Sequence, residues 1–136
     1  MENGAIFDRQ ISASSQVDAN HAAIHGRLNI KATANNGGSW SAVSNDINQW
    51  LQIDLGSSYT KVTCVATQGR SDVAQWVTRY RLQYSKDGEN FQYYREPGKT
   101  ADKVKMNSRN LSLGPQYCLL FRFDCLNTAK RNSSNK

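Results

Sequence analysis

Asp18, His21 and His25 are the first residues whose types and spacing invite chemistry. Two imidazoles four positions apart share one face of a helix, and a carboxylate three residues earlier would add a third metal ligand. The stretch that holds them, QVDANHAAIHG at 16–26, reads instead as a loop ended by Gly26, where that spacing loses its meaning. No Cys/His spacing matches a zinc site. Neither a metal nor a cofactor is therefore expected. Serine, histidine and aspartate could be picked out to compose a hydrolase, yet no nucleophile elbow or oxyanion-hole motif accompanies them. The chain is read as a non-enzyme. Trp40, Trp50 and Trp76 offer a different chemistry, since an indole face stacks well on a pyranose ring.

These residues must be held by something, and the pattern around them is that of strands. In QWLQIDL, Leu51, Ile53 and Leu55 alternate with Gln52 and Asp54, the period of a half-buried strand. KVTCVATQ follows, with Val62, Cys64 and Ala66 on one side and Thr63, Val65 and Thr67 on the other. VTRYRLQYS places Tyr80, Leu82 and Tyr84 inward, and ends at Lys86-Asp87-Gly88-Glu89, an Asp-Gly hairpin signal answered by the returning strand FQYYR. Gly37-Gly38, Gly56-Ser57 and Pro97-Gly98 supply further turns. Short, regularly spaced strands with turns between them predict an all-β sandwich or barrel.

A chain of 136 residues suits one domain with a real core. No apolar run approaches the roughly 20 residues of a membrane-spanning helix, and no signal peptide is visible. The net charge of +6 is unevenly placed: residues 1–96 hold nine Lys/Arg and nine Asp/Glu, whereas 97–136 hold eight Lys/Arg against Asp102 and Asp124. The excess therefore belongs to a tail and not to a domain face, so no nucleic-acid partner is expected. Of the three cysteines, Cys64 reads as a free, buried thiol within a strand, while Cys118 and Cys125 could bridge a short loop.

The segments MENGAIFDRQISASS, GRLN, NDINQWLQIDLG, VTCVATQGR and QWVTRYRLQYSKDGENFQYYRE stand in the order and spacing of discoidin domains, also called coagulation factor V/VIII type C domains. Over residues 1–96 the chain resembles that family. The resemblance implies a jelly-roll β-sandwich of the galactose-binding-like type, with loops at one end gripping phospholipid head groups, carbohydrate or protein ligands. It also implies an extracellular or cell-surface setting, core roles for Trp50 and Trp76, and a structural Arg27 paired with a carboxylate. The chain departs from the family at its C-terminal side. Both family cysteines are absent, LGPQYCLLFRF stands in only loosely for a family strand, and the last strand is missing. The expected molecule is thus a sandwich over residues 1–126 lacking its last strand, which would expose a strand edge and part of the core. A basic, disordered tail is expected at 127–136. Asn110 and Asn132 fit the glycosylation acceptor pattern.

The family's ligand loops correspond here to residues 16–26, 41–46 and 71–75. They carry Asp18, Asn20, His21, Ile24, His25, Val43, Asn45, Asp46, Asp72 and Val73 as candidate binding residues. The tips lack Trp or Phe and are rich in short polar groups capable of directional hydrogen bonds. Carbohydrate or a cell-surface glycoprotein, bound in adhesion, is the expected ligand. Peripheral binding to anionic phospholipid is the alternative, and a truncated product without independent activity is a third reading.

Overall fold

Where alternation is strongest, strands form. A computed structural model describes residues 1, 3–56, 60–95, 98–101, 104–106, 110–118 and 120–130, giving the backbone course and strand pairing from residue 104 onward. Ten strands occur among them: β1 (Ile11–Ala13), β2 (Ala32–Thr33), β3 (Asn36–Gly37), β4 (Trp50–Asp54), β5 (Thr60–Ala66), β6 (Gln75–Ser85), β7 (Gln92–Tyr93), β8 (Val104–Met106), β9 (Asn110–Cys118) and β10 (Leu120–Lys130). The larger sheet runs β1-β4-β10-β6-β7, with β8 sharing the β7 side of β6, and every pairing in it is antiparallel. β5 and β9 form a separate two-stranded sheet, and β2 and β3 a small hairpin.

The core lies where the two sheets face each other. Tyr80 and Leu82 of β6, Val65 of β5, and Tyr94 form its buried centre, flanked by Leu55, Val62, Val77 and Tyr84. Leu82 is only 1% exposed. Ile53 of β4 is buried too, with Leu51 and Leu55 half-buried on either side of it. The period-two reading of β4 and β6 therefore describes the built sheet. The β6–β7 hairpin forms as the Asp-Gly signal predicts, with Gly88 at φ +81°. The Asp87 carboxylate accepts from the backbone N–H groups of Glu89 and Asn90 at 3.0 and 2.8 Å, from Ser85 Oγ at 2.8 Å and from Asn90 Nδ2 at 2.8 Å.

Several expectations change. Cys64 is free and exposed, not buried. The β5–β9 pairing is irregular between Val62 and Cys64, where three β9 residues including Gly114 and Pro115 lie opposite the single Thr63. Proline cannot donate to the ladder and glycine bends it, so the alternation slips, and Val65 turns into the core in place of Cys64. The stretch 16–26 is not plain loop: it holds two 3₁₀ turns, Ala19–His21 and Ala23–His25. Finally, LGPQYCLLFRF is divided between β9 in the small sheet and β10 in the large one. β10 continues past residue 126, pairing Asn127, Thr128, Ala129 and Lys130 with Arg79, Val77, Trp76 and Gln75. Lys105, Arg122 and Lys130, assigned to a basic tail by charge counting, thus belong to strands. Asn132 lies outside the described residues.

Candidate loop-end recognition site

The register brings three loops to one end of the large sheet. β1 and β4 are antiparallel with Ala13 opposite Leu51, so the loop leaving β1 emerges beside the loop entering β4. β4 and β6 both run antiparallel to β10, which puts the loop entering β6 at the same end.

Hydrogen bonds lock the first two loops together. The Val17 N–H donates to the Ser41 carbonyl at 2.9 Å, and the Ser41 N–H to the His21 carbonyl at 3.2 Å. Trp40 Nε1 donates to the Ser15 carbonyl at 2.8 Å, which spends this half-buried indole on holding the loops. Gln49, buried beneath them, accepts from Ser14 Oγ at 2.8 Å and Ser15 Oγ at 2.6 Å, and donates through Nε2 to the Asp46 carboxylate at 3.0 Å. The third loop is joined through the β2–β3 hairpin, whose Ala32 N–H donates to Ser71 Oγ at 3.0 Å.

The candidate aspartates are exposed yet bonded within their own loops, whereas His21 and His25 are half-buried. His21 Nδ1 meets Asp18 Oδ1 at 2.8 Å, and its side chain is only 13% exposed. Its Nε2 is buried against Gly37, where an added Cβ would lie 2.2 Å away. Among the described residues that nitrogen has no hydrogen-bond partner. His25 belongs to the next turn, is half-buried, and lines the cleft between the sheets. Asp46 accepts from Ser44 Oγ at 2.7 Å and from the Asn48 N–H at 2.8 Å. Asp72 pairs with Arg70 through Nε at 2.6 Å and Nη2 at 3.0 Å. All three carboxyls sit below the ordinary aspartate range, held there first by the bond from His21, from Ser44 and from Arg70 respectively. They are therefore ionised acceptors of their own loops. Ile24 is half-buried, while Asn20 and Asn45 remain exposed amides.

Large apolar side chains stand exposed among these polar groups. Val17 is 52% exposed, Val43 66%, Ile47 66% and Val73 44%; only Phe7 joins them as an exposed large apolar residue among those described. Val43 and Val73 stand where the sequence expects them. Ile47 lies one residue beyond the predicted second loop, and an isoleucine inside the polar run NDIN was the available signal. Gln49 was missed because QWLQ reads as a strand, and nothing local shows that its amide reaches back to Ser14 and Ser15.

Arg27 is placed away from the loop tips. Its guanidinium bonds Asp8 at 2.5 Å and the carbonyls of Met1 and Ile6 at 3.0 and 2.9 Å, a structural role in fixing the N-terminal segment. Among the described residues, no helix is long and apolar enough to cross a membrane.

Comparison with known proteins agrees with this architecture. The rat protein named "Discoidin, CUB and LCCL domain-containing protein 2" is 37% identical over 118 residues, covering 81% of this chain but only 15% of that relative's length. Discoidin II of Dictyostelium discoideum superposes with a TM-score of 0.75 at 22% identity, covering 88% of this chain and 50% of that one. A Clostridium perfringens module, CpGH89CBM32-5, solved in complex with GalNAc-β-1,3-galactose, superposes with a TM-score of 0.65 at 17% identity over 94% of this chain and 91% of its own. These structural likenesses establish a jelly-roll sandwich of the discoidin type. The family model described as F5/8 type C domain matches residues 10–135, nearly the whole chain, and the chain belongs to the F5/8 type C, or discoidin, domain family.

Proposed function

We propose that the chain is a non-catalytic recognition module working at the cell exterior, and that its three-loop end docks on a phospholipid surface by its apolar tips. The observation that carries this reading is the exposure of Val17, Val43, Ile47 and Val73 on three joined loops. Clustered apolar side chains with a polar rim are a mark of protein- or membrane-contacting surfaces. Carboxylates bonded within their own loops hold the loops in place, so little ordering entropy is lost on docking.

Inserting one such half-exposed aliphatic side chain contributes on the order of 1 kcal/mol. Four of them correspond to a dissociation constant of about 1 mM for one module. Useful retention then requires several modules acting together. The same end carries Asp18, Asp46 and Asp72, so anionic head groups add little, and the binding is expected to be nearly flat with salt. Flotation with phosphatidylcholine vesicles, with and without phosphatidylserine, tests this. Val43→Asp/Ile47→Asp should lower the bound fraction by about tenfold or more, because two aliphatic contributions of about 1 kcal/mol each are lost. Unchanged flotation of that variant would sink the reading.

A second reading, carbohydrate recognition in adhesion, draws on the likeness to the CpGH89CBM32-5 fold solved with GalNAc-β-1,3-galactose and on the exposed amides of Asn20 and Asn45. Titration with that disaccharide separates the two. Loss of binding in Asn20→Ala/Asn45→Ala, with Val43→Asp/Ile47→Asp unaffected, would favour the sugar.

A further inference from the structure

Arg79 and Arg81 alternate along β6 with Tyr80 and Leu82, which are buried in the core, so both arginines belong to the outer face of the large sheet. Successive positions on one face of a strand lie roughly 6.6 Å apart. Arg79 is exposed and Arg81 half-buried. Among the described residues neither guanidinium pairs with a carboxylate, and Arg81 Nε is buried without a hydrogen-bond partner. Arg81 instead lies over the ring of Tyr93, 4.4 Å from its centroid. Arg27 and Arg70, by contrast, each hold an aspartate. A cation partly withdrawn from water without a counter-ion is unfavourable, and an anionic ligand relieves that cost.

The strand register supplies the surroundings. On one side of β6, β8 sets the uncharged Met106 and Val104 opposite Arg79 and Arg81. On the other side, β10 sets Asn127 opposite Arg79, Asp124 opposite Arg81 and Arg122 opposite Gln83. Three arginine positions against one aspartate position leave this stretch of the face positive.

We infer that the Arg79–Arg81 face binds a sulfated polysaccharide, each guanidinium taking a sulfate group through its forked N–H donors. Charge complementarity asks for an anion, and the fold selects its carrier. β6 has strands along both edges, so no main-chain bonds are open to an added peptide strand. An acidic peptide would gain side-chain contacts only, at the cost of its own flexibility. A sulfated polysaccharide is stiffer, lies along a flat face and offers several sulfates to the two guanidinium groups. Arg79 and Arg81 lie four and six residues along β6 from Gln75, where the strand leaves the loop end. That distance is roughly 13 to 20 Å, so the head groups of a membrane touched by the loop tips do not reach them. The face is a second site, independent of the loop end.

The test is calorimetric titration of the intact chain with a short heparin oligosaccharide, with the same oligosaccharide stripped of sulfate and polyglutamate as controls. The sulfated probe should bind and neither control should. Arg79→Glu, at an exposed position, should weaken binding by about tenfold, the loss of one charged hydrogen-bonded contact. Arg79→Ala/Arg81→Ala should weaken it further and lower the slope of log affinity against log salt by about two, one released counter-ion per arginine. Arg81→Lys keeps the charge without the fork, and should show an intermediate loss in a chain that melts like wild type. Vesicle flotation of the arginine variants should match wild type, while Val43→Asp/Ile47→Asp should still bind the oligosaccharide, so the two sites fail separately. Four results would each overturn the proposal. The first is undiminished binding in Arg79→Glu. The second is equal binding of polyglutamate, which would mean unselective attraction of anions. The third is a loss with Arg79→Ala but none with Arg81→Ala, which would mean that Asp124 neutralises Arg81. The fourth is a loss only in Arg131→Ala/Lys136→Ala, which would move the site to the basic residues that follow β10.

Discussion

β6 and β5 look alike as sequence and behave differently as structure. Both are Val-, Thr- or Tyr-rich runs with a period of two, facing the same core from opposite sheets. β6 has eleven residues and neighbours on both edges, with β10 on one and β7 and β8 on the other. Its Leu82 is sealed to 1%. Among the described residues β5, seven residues long, has one neighbour and an irregular ladder, and its Cys64 is exposed while Val65 is buried, though both border the cleft. A strand's burial is thus decided less by its own pattern than by how many strands flank it.

The comparison can be broken most directly in the core. Leu82→Ala removes a sealed side chain and should cost about 3 to 4 kcal/mol of unfolding free energy. Val65→Ala, whose void communicates with the open cleft, should cost only about 1 kcal/mol. Urea denaturation of the two variants measures the gap, and equal losses would mean that β5 is packed as tightly as β6.

The next effect separates packing from binding at the loop end. Gly37→Ala would drive a methyl group into the His21 ring, where the nearest atom is 2.2 Å away. A destabilisation of about 2 kcal/mol is expected from such overpacking. Adding His21→Ala should recover much of it, since residues in contact do not behave additively. Additive losses would show that His21 does not rest on Gly37.

The smallest effect concerns acid. Asp87 lies well below the ordinary aspartate range, held there first by the Asn90 side chain and then by the backbone N–H groups of Asn90 and Glu89. A carboxyl with a depressed native pKa stabilises the fold above the unfolded value of about 3.9 and loses that contribution as pH falls through the lower native value. Wild type should therefore exceed Asp87→Asn slightly in melting temperature near pH 7, and the difference should shrink progressively as pH falls below about 4. A difference that stays constant across that range would assign the hairpin's stability to Gly88 and the strands instead.

Much of the scaffold was legible in the residues. Leu51, Ile53 and Leu55, Tyr80 and Leu82, and the Asp87-Gly88 turn declare themselves because strand periodicity and turn chemistry are local. The quoted motifs likewise announced the family before any strand was paired. The loop end was legible only in outline. Polar letters at Asp18, His21, Asp46 and Asp72 suggested ligand contacts. Yet each is committed to its own loop, because a hydroxyl, amide or guanidinium a few residues away completes it. Cys64 misled for a different reason: its exposure is caused by the Gly114-Pro115 irregularity in β9, some fifty residues distant.

The sequence by itself determined the all-β class and the faces of β4 and β6, which follow from spacing within a dozen residues, and the family, which follows from the order of its motifs. Only the tertiary structure decided the central place of β10 between β4 and β6, the partner of Arg27 among the carboxylates, and the exposure of Val17, Val43, Ile47 and Val73 among the polar groups of the loop tips. These depend on which distant segments meet. A strand pattern specifies a face to be covered; it does not specify what covers it.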